Sequence, residues 1–431
     1  MLDKNSIRSL REKHLSPSLS LSYAEPLHII RGGGQYLYEA NGKQYLDAVN
    51  NIQHVGHCHP KVVEAAHSQY KRLNTNTRYL DEPIVNYAKA LTDKLPPGLD
   101  VCFFTNSGSE ANDLALRIAR HFTQSKETIV LDGAYHGNLS SLIEISPYKH
   151  GGPGGEGARN FVNTISMPDS YRGKYRGEES IIGYVQEVVE AIAKIHHKNK
   201  KVSAFITEAL MGCGGQLVLP EGFLKQSFEL VRNAGGLCIS DEVQIGFGRM
   251  GNHFWGFQTE DVIPDIVTMG KSMGNGHPLS AVVTTKKIAD NFNNGMEYFN
   301  SFGGNPVSCA VGQTVLDVIE EENLQDNALD VGTYLLDQLK VLKSKHEIIG
   351  DVRGRGLFIG VELMRDLESL TPATEEANTV VNQMKDSGIL ISSDGQDHNV
   401  LKIKPPIIFT RENADTLVVN LATIINELSK D

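Results

Sequence analysis

The sequence predicts an α/β protein, in which a large domain with a mainly parallel sheet covered by helices is followed by a smaller α+β domain. Two observations predict this fold. Short apolar runs alternate with helical patterns through the middle of the chain, which is typical of a parallel sheet. This alternation stops near residue 310, and a chain of 431 residues is too long for one hydrophobic core.

Six apolar runs are predicted to be strands of the large sheet, and three amphipathic segments are predicted to be helices. In segment 110–122, apolar residues recur at the i, i+3, i+4 spacing of a buried helix face. The predicted strands are Val101–Thr105, Thr128–Asp132, Val202–Glu208, Leu237–Asp241, Ile266–Met269 and Ser280–Thr285, and the predicted helices are Glu110–Phe122, Tyr184–His196 and Gly222–Ala234.

The C-terminal region has a different pattern. Two strand-like runs within Ile348–Met364 flank an RGRG turn, and a helix (Thr374–Lys385), a strand (Val400–Ile403) and a final helix (Asn413–Ser429) follow. Strand-like Gln35–Tyr38 near the N-terminus is expected to pack against this region. We therefore divide the chain into an N-terminal segment (1–60), a large domain (61–310) and a small domain (311–431).

Charge and composition exclude several classes of protein. The formal net charge of −11 argues against nucleic acid or an anionic membrane as the main partner. No apolar run has the length of a membrane span, and the first residues lack the apolar core of a secretory signal. The five cysteines have no CxxC spacing, which predicts reduced thiols and no metal site. We expect an intracellular protein, cytoplasmic, with a mitochondrial location left open.

Polar side chains lie at the ends of several predicted strands. Thr105, Asp132, Glu208 and Asp241 end four of them, and Lys271 follows the run that ends at Met269. Ligands bind at the carboxyl ends of strands in open α/β sheets. A binding site is therefore expected where these side chains converge.

The segment 105–110 joins a predicted strand to a predicted helix. Ser107 and Glu110 fit a capping box, and Gly108 allows backbone amides to approach a ligand closely. Amides at a helix start favour a phosphate, so Ser107, Gly108 and Ser109 are a candidate phosphate cradle. An ordinary capped helix explains the same residues.

Three residues have the chemistry of a cofactor site. Asp241 can pair with a protonated ring nitrogen and Gln244 can donate to a ring oxygen, although a metal site or a helix cap also explains an Asp-Glu pair. Lys271 lies among glycines after an apolar strand, as a Schiff-base lysine does. Burial of a lysine ammonium costs free energy, so a lysine at such a position is expected to have a function. The alternative is a lysine that reaches the surface.

Other motifs allow more than one interpretation. Tyr135, beside His136, is placed to stack on a planar cofactor or to fill a surface groove. Gly246–Gly251 matches GxGxxG literally, but it does not follow its strand directly, so we interpret it as a turn over the site that Arg249 orders. Gly270-Lys271-Ser272 resembles the end of a P-loop, but this motif requires glycine at position 265, where the chain has Asp265. The P-loop pattern therefore fails.

Six segments together resemble the class III (ω-type) aminotransferases, a family of fold-type I pyridoxal-phosphate enzymes. Their order and spacing, rather than any one string, carry the resemblance, which runs from about residue 20 to the C-terminus. It implies pyridoxal 5′-phosphate as cofactor, a seven-stranded sheet in the large domain, and a homodimer with shared active sites, with further association left open. The segments are TNSGSEAN (105–112), AYHG (134–137), ITEA (206–209), SDEVQIGFGR (240–249), TMGKSMGNGHP (268–278) and FGGNP (302–306).

The resemblance also implies a role for each matching residue. Lys271 is the Schiff-base lysine and acid/base catalyst, Asp241 pairs with the pyridinium nitrogen, and Gln244 contacts the ring oxygen. Ser301, where the family has threonine, contacts the cofactor phosphate of the neighbouring subunit. The remaining implied cofactor contacts are the phosphate cradle of Ser107, Gly108 and Ser109, the ring contacts Tyr135 and His136, and the supporting Glu208.

Further strings, among them LNTNTRYL (73–80), PDSYRGKYRG (168–177) and NVLKIKPP (399–406), resemble the phospho-lyase branch of this family. This branch eliminates phosphate from ethanolamine phosphate or from 5-phosphohydroxy-L-lysine. Many aminotransferases of the family clamp an α-carboxylate with an arginine where this chain has Lys402, and lysine lacks that planar fork. The resemblance therefore implies a small phosphorylated amine as substrate.

The departing phosphate requires cations near the pocket. A flexible basic loop that closes over a dianion and a solvated surface loop both explain the run at 171–176. Two other functions stay open: an ω-aminotransferase that uses pyruvate or glyoxylate, and a non-catalytic protein that kept the scaffold. The candidate phosphate contacts are Arg78, Arg172, Lys174, Arg176 and Lys402, with Lys149 and Lys404 as further cations.

Overall fold

The computed structural model describes residues 2–428 and confirms the α/β fold with a seven-stranded sheet. Its strands are β1 (Ile29–Gly33), β2 (Tyr36–Glu39), β3 (Gln44–Asp47), β4 (Val101–Thr105), β5 (Glu127–Leu131), β6 (Val162–Ile165), β7 (Val202–Thr207), β8 (Leu210–Met211), β9 (Leu217–Val218), β10 (Leu237–Asp241), β11 (Ile266–Met269), β12 (Ser280–Thr284), β13 (Ile349–Arg355), β14 (Phe358–Asp366), β15 (Thr371–Pro372), β16 (Ile389–Leu390), β17 (Ser392–Asp394) and β18 (Val400–Ile403).

The helices lie mostly between these strands. They are α1 (Lys4–His14), α2 (Pro60–Arg72), α3 (Glu82–Thr92), α4 (Gly108–Thr123), α5 (Ser140–Ile143), α6 (Pro147–His150), α7 (Ser180–His197), α8 (Phe223–Asn233), α9 (Lys286–Phe292), α10 (Pro306–Glu321), α11 (Leu324–Lys343), α12 (Thr374–Asp386) and α13 (Arg411–Leu428). Short 3-10 turns span Gly256–Glu260 and Lys271–Gly274. Ser429, where the last helix was predicted to end, lies outside the described residues.

The large sheet has the strand order β4-β12-β11-β10-β7-β5-β6. All neighbours are parallel except β12, which runs antiparallel to both β11 and β4. The sequence analysis missed β6, a four-residue edge strand whose Asn163 and Thr164 interrupt the apolar pattern. The carboxyl ends of β7, β10 and β11 therefore lie side by side at one edge.

Both faces of this sheet are covered, as the continuous apolar runs of its strands require. Helix α4 packs on one face, where its apolar stripe contacts side chains such as Val130, Ile206 and Ile239. The neighbouring residues Ile129 and Phe205 belong to the larger core on the opposite face. Successive strand residues thus point to opposite layers, which fixes the register of the strands.

The C-terminal region forms a separate sheet with the order β13-β14-β18-β17, beside helices α11, α12 and α13. Strand β3 of the N-terminal segment pairs in parallel with β16 through Leu46 and Ile389. The N-terminal strands are therefore hydrogen-bonded to the C-terminal region. The exact three-part division at residues 60 and 310 stays a prediction. Within residues 2–428, no helix is long and apolar enough to cross a membrane.

Candidate active site

A cavity of about 340 Å³ opens at the carboxyl ends of β7, β10 and β11. These strands deliver Glu208, Asp241 and Lys271 to it, as the sequence predicted from strand ends. The other two strand-end residues do not line the cavity. Thr105 is buried, with its Oγ1 hydrogen-bonded to Oγ of Ser280 at 2.9 Å, and Asp132 borders a neighbouring groove. The lining is Ile52, Asn106, Ser107, Gly108, Ser109, Asn112, Tyr135, His136, Gly137, Glu208, Asp241, Val243, Gln244, Lys271, Gly276, His277, Pro278 and Leu279.

Asp241 is 3% exposed and its carboxylate is held by three donors. Its Oδ2 lies 2.8 Å from Nδ1 of His136 and accepts from Nδ2 of Asn112 at 2.8 Å. Its Oδ1 accepts from the backbone amide of Val243 at 3.1 Å. A second lone pair on Oδ1 is left for a ligand donor, so this carboxylate can hold a protonated ring nitrogen.

Asn112 is a site residue that the sequence analysis did not single out. Its Nδ2 also donates to the carbonyl of His136 at 2.8 Å, and its Oδ1 accepts from Oγ1 of Thr268 at 2.6 Å. Both hydrogens of Nδ2 are thereby used to orient Asp241 and His136, and one lone pair of Oδ1 is used by Thr268. The available signal was a single amide at a buried position beside the apolar stripe of α4.

Lys271 lies in the turn that follows β11, with a left-handed φ of 38°. This conformation is costly for any residue with a Cβ and is found where a side chain must be aimed. Burial lowers the pKa of Lys271, although the nearby carboxylates of Asp241 and Glu208 oppose this shift. No hydrogen bond or salt bridge reaches its ammonium from residues 2–428. A lysine of this kind is a competent nucleophile and base.

The phosphate cradle lies at the start of α4. Ser107 Oγ accepts from the Glu110 amide at 3.1 Å, so Ser107 caps the helix as predicted. The reciprocal half of the predicted capping box is wrong, because Glu110 Oε2 accepts from the Asn106 amide instead. A Cβ on Gly108 would lie 2.9 Å from both methyl groups of Val243, so only glycine fits there.

Gln244 has a fixed orientation at the cavity wall. Its Oε1 accepts from Nδ2 of Asn51 at 3.1 Å and from Nζ of Lys404 at 3.0 Å, while its Nε2 lies 3.4 Å from Oε1 of Glu208. Lys404 is fully buried, and its ammonium is engaged in this hydrogen bond. Burial, and next the charge of Asp241, raise the pKa of Glu208. The amide group of Gln244 therefore presents a donor on the side of Glu208.

Tyr135 and His136 both line the cavity, as predicted. The ring of Tyr135 packs edge to face against Tyr148 at 6.1 Å, and the ammonium of Lys149 lies 5.7 Å from its centre. His136 is buried, and its Nε2 has no hydrogen-bond partner among residues 2–428. The ring of Tyr135 and Nε2 of His136 are therefore the groups that this wall of the cavity offers to a ligand.

The structure does not bring all the predicted cations together. Arg172 is paired with Glu362 and Asp397, and Lys174 with Glu187, so the basic loop is bound to other side chains and lines no part of the cavity. Arg176 is exposed and donates to the Gly173 carbonyl. Lys402 pairs with Asp394 at 3.2 Å, and Arg78 is exposed beside Glu297.

The turn at 246–251 is not a flap over the site. Arg249 is fully buried and donates to the carbonyls of Leu357 at 3.0 Å and Pro405 at 2.7 Å, and its Nη2 lies 3.2 Å from Nδ1 of His54. The prediction that this turn covers the cavity was wrong, because it packs against the C-terminal region instead. Arg249 orders the turn, as expected, through long-range contacts.

Comparison with known proteins identifies the family. The family model described as aminotransferase class-III matches residues 21–425. The chain belongs to this family. Among relatives, an alanine–glyoxylate aminotransferase 2-like protein of Drosophila melanogaster is 48% identical and covers 100% of this chain and 89% of its own. The ethanolamine-phosphate phospho-lyase homolog 1 of Caenorhabditis elegans is 40% identical and covers 99% of this chain and 94% of its own.

A solved structure is similar over nearly the whole chain. A phospholyase from Arthrobacter in complex with phosphoethanolamine aligns with a TM-score of 0.93 at 40% identity, and covers 97% of this chain and 99% of that one. The fold is thus that of fold-type I transferases, and the cofactor of the protein is pyridoxal 5′-phosphate.

The residues at the cavity fit this cofactor. Asp241 keeps an acceptor free, Lys271 is an amine without a hydrogen-bond partner among the described residues 2–428, and the glycine at 108 leaves the start of α4 open to a phosphate. The volume of the cavity lies within the roughly 300–1,000 Å³ of small-ligand sites.

Proposed function

We propose that the protein is a phospho-lyase that converts O-phosphoethanolamine and water to acetaldehyde, ammonia and phosphate. The similarity over nearly the full chain to a phospholyase in complex with phosphoethanolamine carries this proposal. The lysine at position 402 supports it, because a single ammonium suits a phosphate without providing the bidentate fork that an α-carboxylate favours.

Pyridoxal phosphate, when bound, supplies an electron sink for the carbon that bears the substrate nitrogen. In this proposal Lys271 removes the proton from that carbon, since its lowered pKa leaves more of the amine unprotonated. Asp241, held by Asn112 and His136, keeps the ring nitrogen protonated. Gln244 donates to the ring oxygen, and Ser107, Gly108 and Ser109 bind the cofactor phosphate.

Once that proton is removed, the bond to the phosphate on the adjacent carbon breaks and the electron pair leaves with the phosphate. The bond that breaks must lie near a cation, and Lys402 is the candidate from the same subunit. Lys404 is excluded as a phosphate contact in this proposal because Gln244 occupies it. Arg172, Lys174 and Arg176 are set aside because their partners on and around the basic loop lie outside the cavity lining, whereas Lys402 is two residues from Lys404, which contacts the cavity residue Gln244.

We propose that Arg78 and Ser301 act across a homodimer. Both are exposed, and Arg78 packs over the ring of Phe299 at 4.3 Å, so segments 73–80 and 296–302 form one surface. This surface carries large apolar side chains, with Leu80, Phe302 and Tyr79 exposed by 107%, 71% and 69%. Apolar patches of this kind mark protein interfaces. A second copy covering this surface places Arg78 and Ser301 at its cavity.

The alternative functions differ either in the substrate or in the step that follows proton removal. The 48% identity to an alanine–glyoxylate aminotransferase 2-like protein supports an ω-aminotransferase. A substrate of the 5-phosphohydroxy-L-lysine type presents the same terminal amine beside a phosphate-bearing carbon.

The decisive experiment compares three reactions of the cofactor-loaded enzyme. Phosphate and ammonia are measured with phosphoethanolamine and with 5-phosphohydroxy-L-lysine, and alanine is measured with pyruvate and an amine donor. We expect equimolar phosphate and ammonia from phosphoethanolamine. Alanine formation without phosphate release would establish the aminotransferase instead.

A further inference from the structure

Lys402, the cation that the proposed function assigns to the substrate phosphate, already has an ion-pair partner. It lies on β18, and its side chain is 19% exposed. Burial, and more weakly the charge of Lys402, lower the pKa of Lys271. The two ammonium groups are therefore within electrostatic range, and Lys402 lies two residues before Lys404, whose Nζ contacts Oε1 of the cavity residue Gln244 at 3.0 Å.

Asp394, on β17, limits the charge that Lys402 offers. Its Oδ2 lies 3.2 Å from Nζ of Lys402 and accepts from Nε2 of Gln216 at 2.8 Å. The Asp394 side chain is only 13% exposed, so water screens this pair weakly. Any substrate anion that binds Lys402 must share it with a carboxylate already in place.

The position of Asp394 is fixed through a chain of contacts that begins at the cavity. Glu208 accepts from the Gly212 amide at 3.2 Å, and the Gly212 carbonyl accepts from Nε2 of Gln216 at 3.0 Å. The Gly395 amide donates to the Cys213 carbonyl at 3.1 Å. Gln216 is fully buried. The carboxylate is thus held at the end of β17 by contacts that lead back to Glu208.

We propose that Asp394 is a specificity-determining residue, which competes for Lys402 so that carboxylate substrates bind poorly and the released phosphate leaves readily. The inference rests on the proposed function, in which Lys402 receives the substrate phosphate. A monoanionic carboxylate only replaces Asp394 at Lys402 and gains little. A phosphate dianion has a second charge and further acceptors for other cations, so it binds despite the competition.

β-Alanine provides the matched probe. It carries an amine two carbons from a carboxylate, where phosphoethanolamine carries an amine two carbons from a phosphate ester. Inorganic phosphate is the second probe, because it is the product that must leave. Neither probe needs turnover to report on Lys402.

The test measures dissociation constants of both probes by calorimetry on the cofactor-loaded enzyme and on Asp394→Asn. Asparagine keeps an acceptor for Gln216 but loses the charge, so the dissociation constant of β-alanine should fall about tenfold, the order of one hydrogen bond to a charged group, and that of phosphate by a smaller factor. Asp397→Asn is the control, because Asp397 pairs with Arg172 and not with Lys402. Its constants should stay within about twofold of the wild type.

The double variant Asp394→Asn with Lys402→Met should lose the whole gain, since the effect acts through Lys402. Unchanged or weaker binding in Asp394→Asn, with an unaltered thermal unfolding curve, would overturn the inference. Asp394→Ser, which also removes the charge, replaces Asp394→Asn if the asparagine variant does not fold. Absent phosphate release from phosphoethanolamine in the wild type would refute the proposed function, whereas these binding constants decide the role of Asp394 alone.

Discussion

The cofactor floor of the cavity and the residues proposed to bind the substrate anion are built in different ways. The cofactor floor (Asn112, His136, Asp241 and Thr268) consists of buried groups that are hydrogen-bonded mainly to one another at 2.6–2.8 Å. The proposed anion side (Lys402, Asp394 and Arg78) lies outside the residues that line the cavity and consists of partly or fully exposed charges that already have partners. The floor is preorganised for one cofactor. The proposed anion side is balanced by opposing charges, so we expect small changes there to alter the choice of substrate.

The largest expected effect on activity follows from substitution of Lys271, the lysine beside the cofactor floor. Lys271→Ala should lower kcat for phosphate release about 10⁴-fold, because the base for proton removal is gone. The visible absorbance band of the bound cofactor should shift at the same time. Lys286→Ala, an exposed lysine paired with Asp290, is the control and should retain full activity. Normal turnover by Lys271→Ala would refute its role.

Asp241→Asn tests whether charge or shape matters at the floor. We expect a fall in kcat of about 10³-fold, because the amide cannot hold a protonated ring nitrogen. The control is Asp132→Asn, which follows the end of β5, two strands from β10 in the sheet, and lies outside the cavity. Similar losses in both variants, measured as phosphate release, would mean that strand-end position alone explains the effect.

On the anion side, Lys402→Met should mainly raise KM for phosphoethanolamine, by about thirtyfold, since it removes one charged hydrogen bond. The control is Lys174→Met, whose ammonium pairs with Glu187 on the separate basic loop. A rise in KM for the control but not for Lys402→Met would place the phosphate at the basic loop.

Thr268→Val probes the outermost contact of the floor. The substitution is nearly isosteric and removes only the hydroxyl that donates to Asn112, so kcat should fall about fivefold and unfolding free energy by about 1 kcal/mol. Calorimetric unfolding and the pH profile of kcat are the measurements. A loss of stability with an unchanged pH profile and kcat would restrict this residue to packing.

The last prediction concerns the junction behind the floor and affects stability rather than activity. Burial, and next the charge of Arg249, lower the pKa of His54 to about 3. Because the folded pKa lies below the unfolded one, the stabilisation is present above pH 6.5 and is lost as pH falls toward 3. Stability should drop by about 2 kcal/mol from this residue between pH 7 and pH 5.

His54→Gln should show a flatter unfolding temperature between pH 7 and pH 5, because glutamine can donate to the Phe247 carbonyl but does not titrate. His67→Gln, at an exposed position of α2, should follow the wild type. An identical pH dependence in all three proteins would exclude His54 as the cause.

The cofactor floor was largely predictable from sequence, because its residues lie in short motifs at strand ends and the topology of a parallel sheet brings such ends together. Asp241, Lys271 and the start of α4 were found in this way. Asn112 was missed because its contacts depend on the distance between a helix and two strands, which no local pattern encodes.

The anion side was predicted poorly. A basic run such as 171–176 reveals charge but not its partners, and the carboxylates that bind Arg172 and Lys174 lie 13 to 225 positions away. Asp394 was overlooked because an aspartate in a Ser-Asp-Gly turn has an ordinary explanation. Long-range ion pairing is fixed by tertiary packing alone.

The burial of Arg249 has a consequence for how the enzyme adapts to ligands. Its guanidinium holds the carbonyl of Pro405, three residues after Lys402, and of Leu357, just before β14, to the turn after β10. Strand β18, which carries Lys402, is therefore held to the sheet that carries Asp241. Under the proposed function, this connection fixes the distance between the substrate amine at Lys271 and the substrate anion at Lys402.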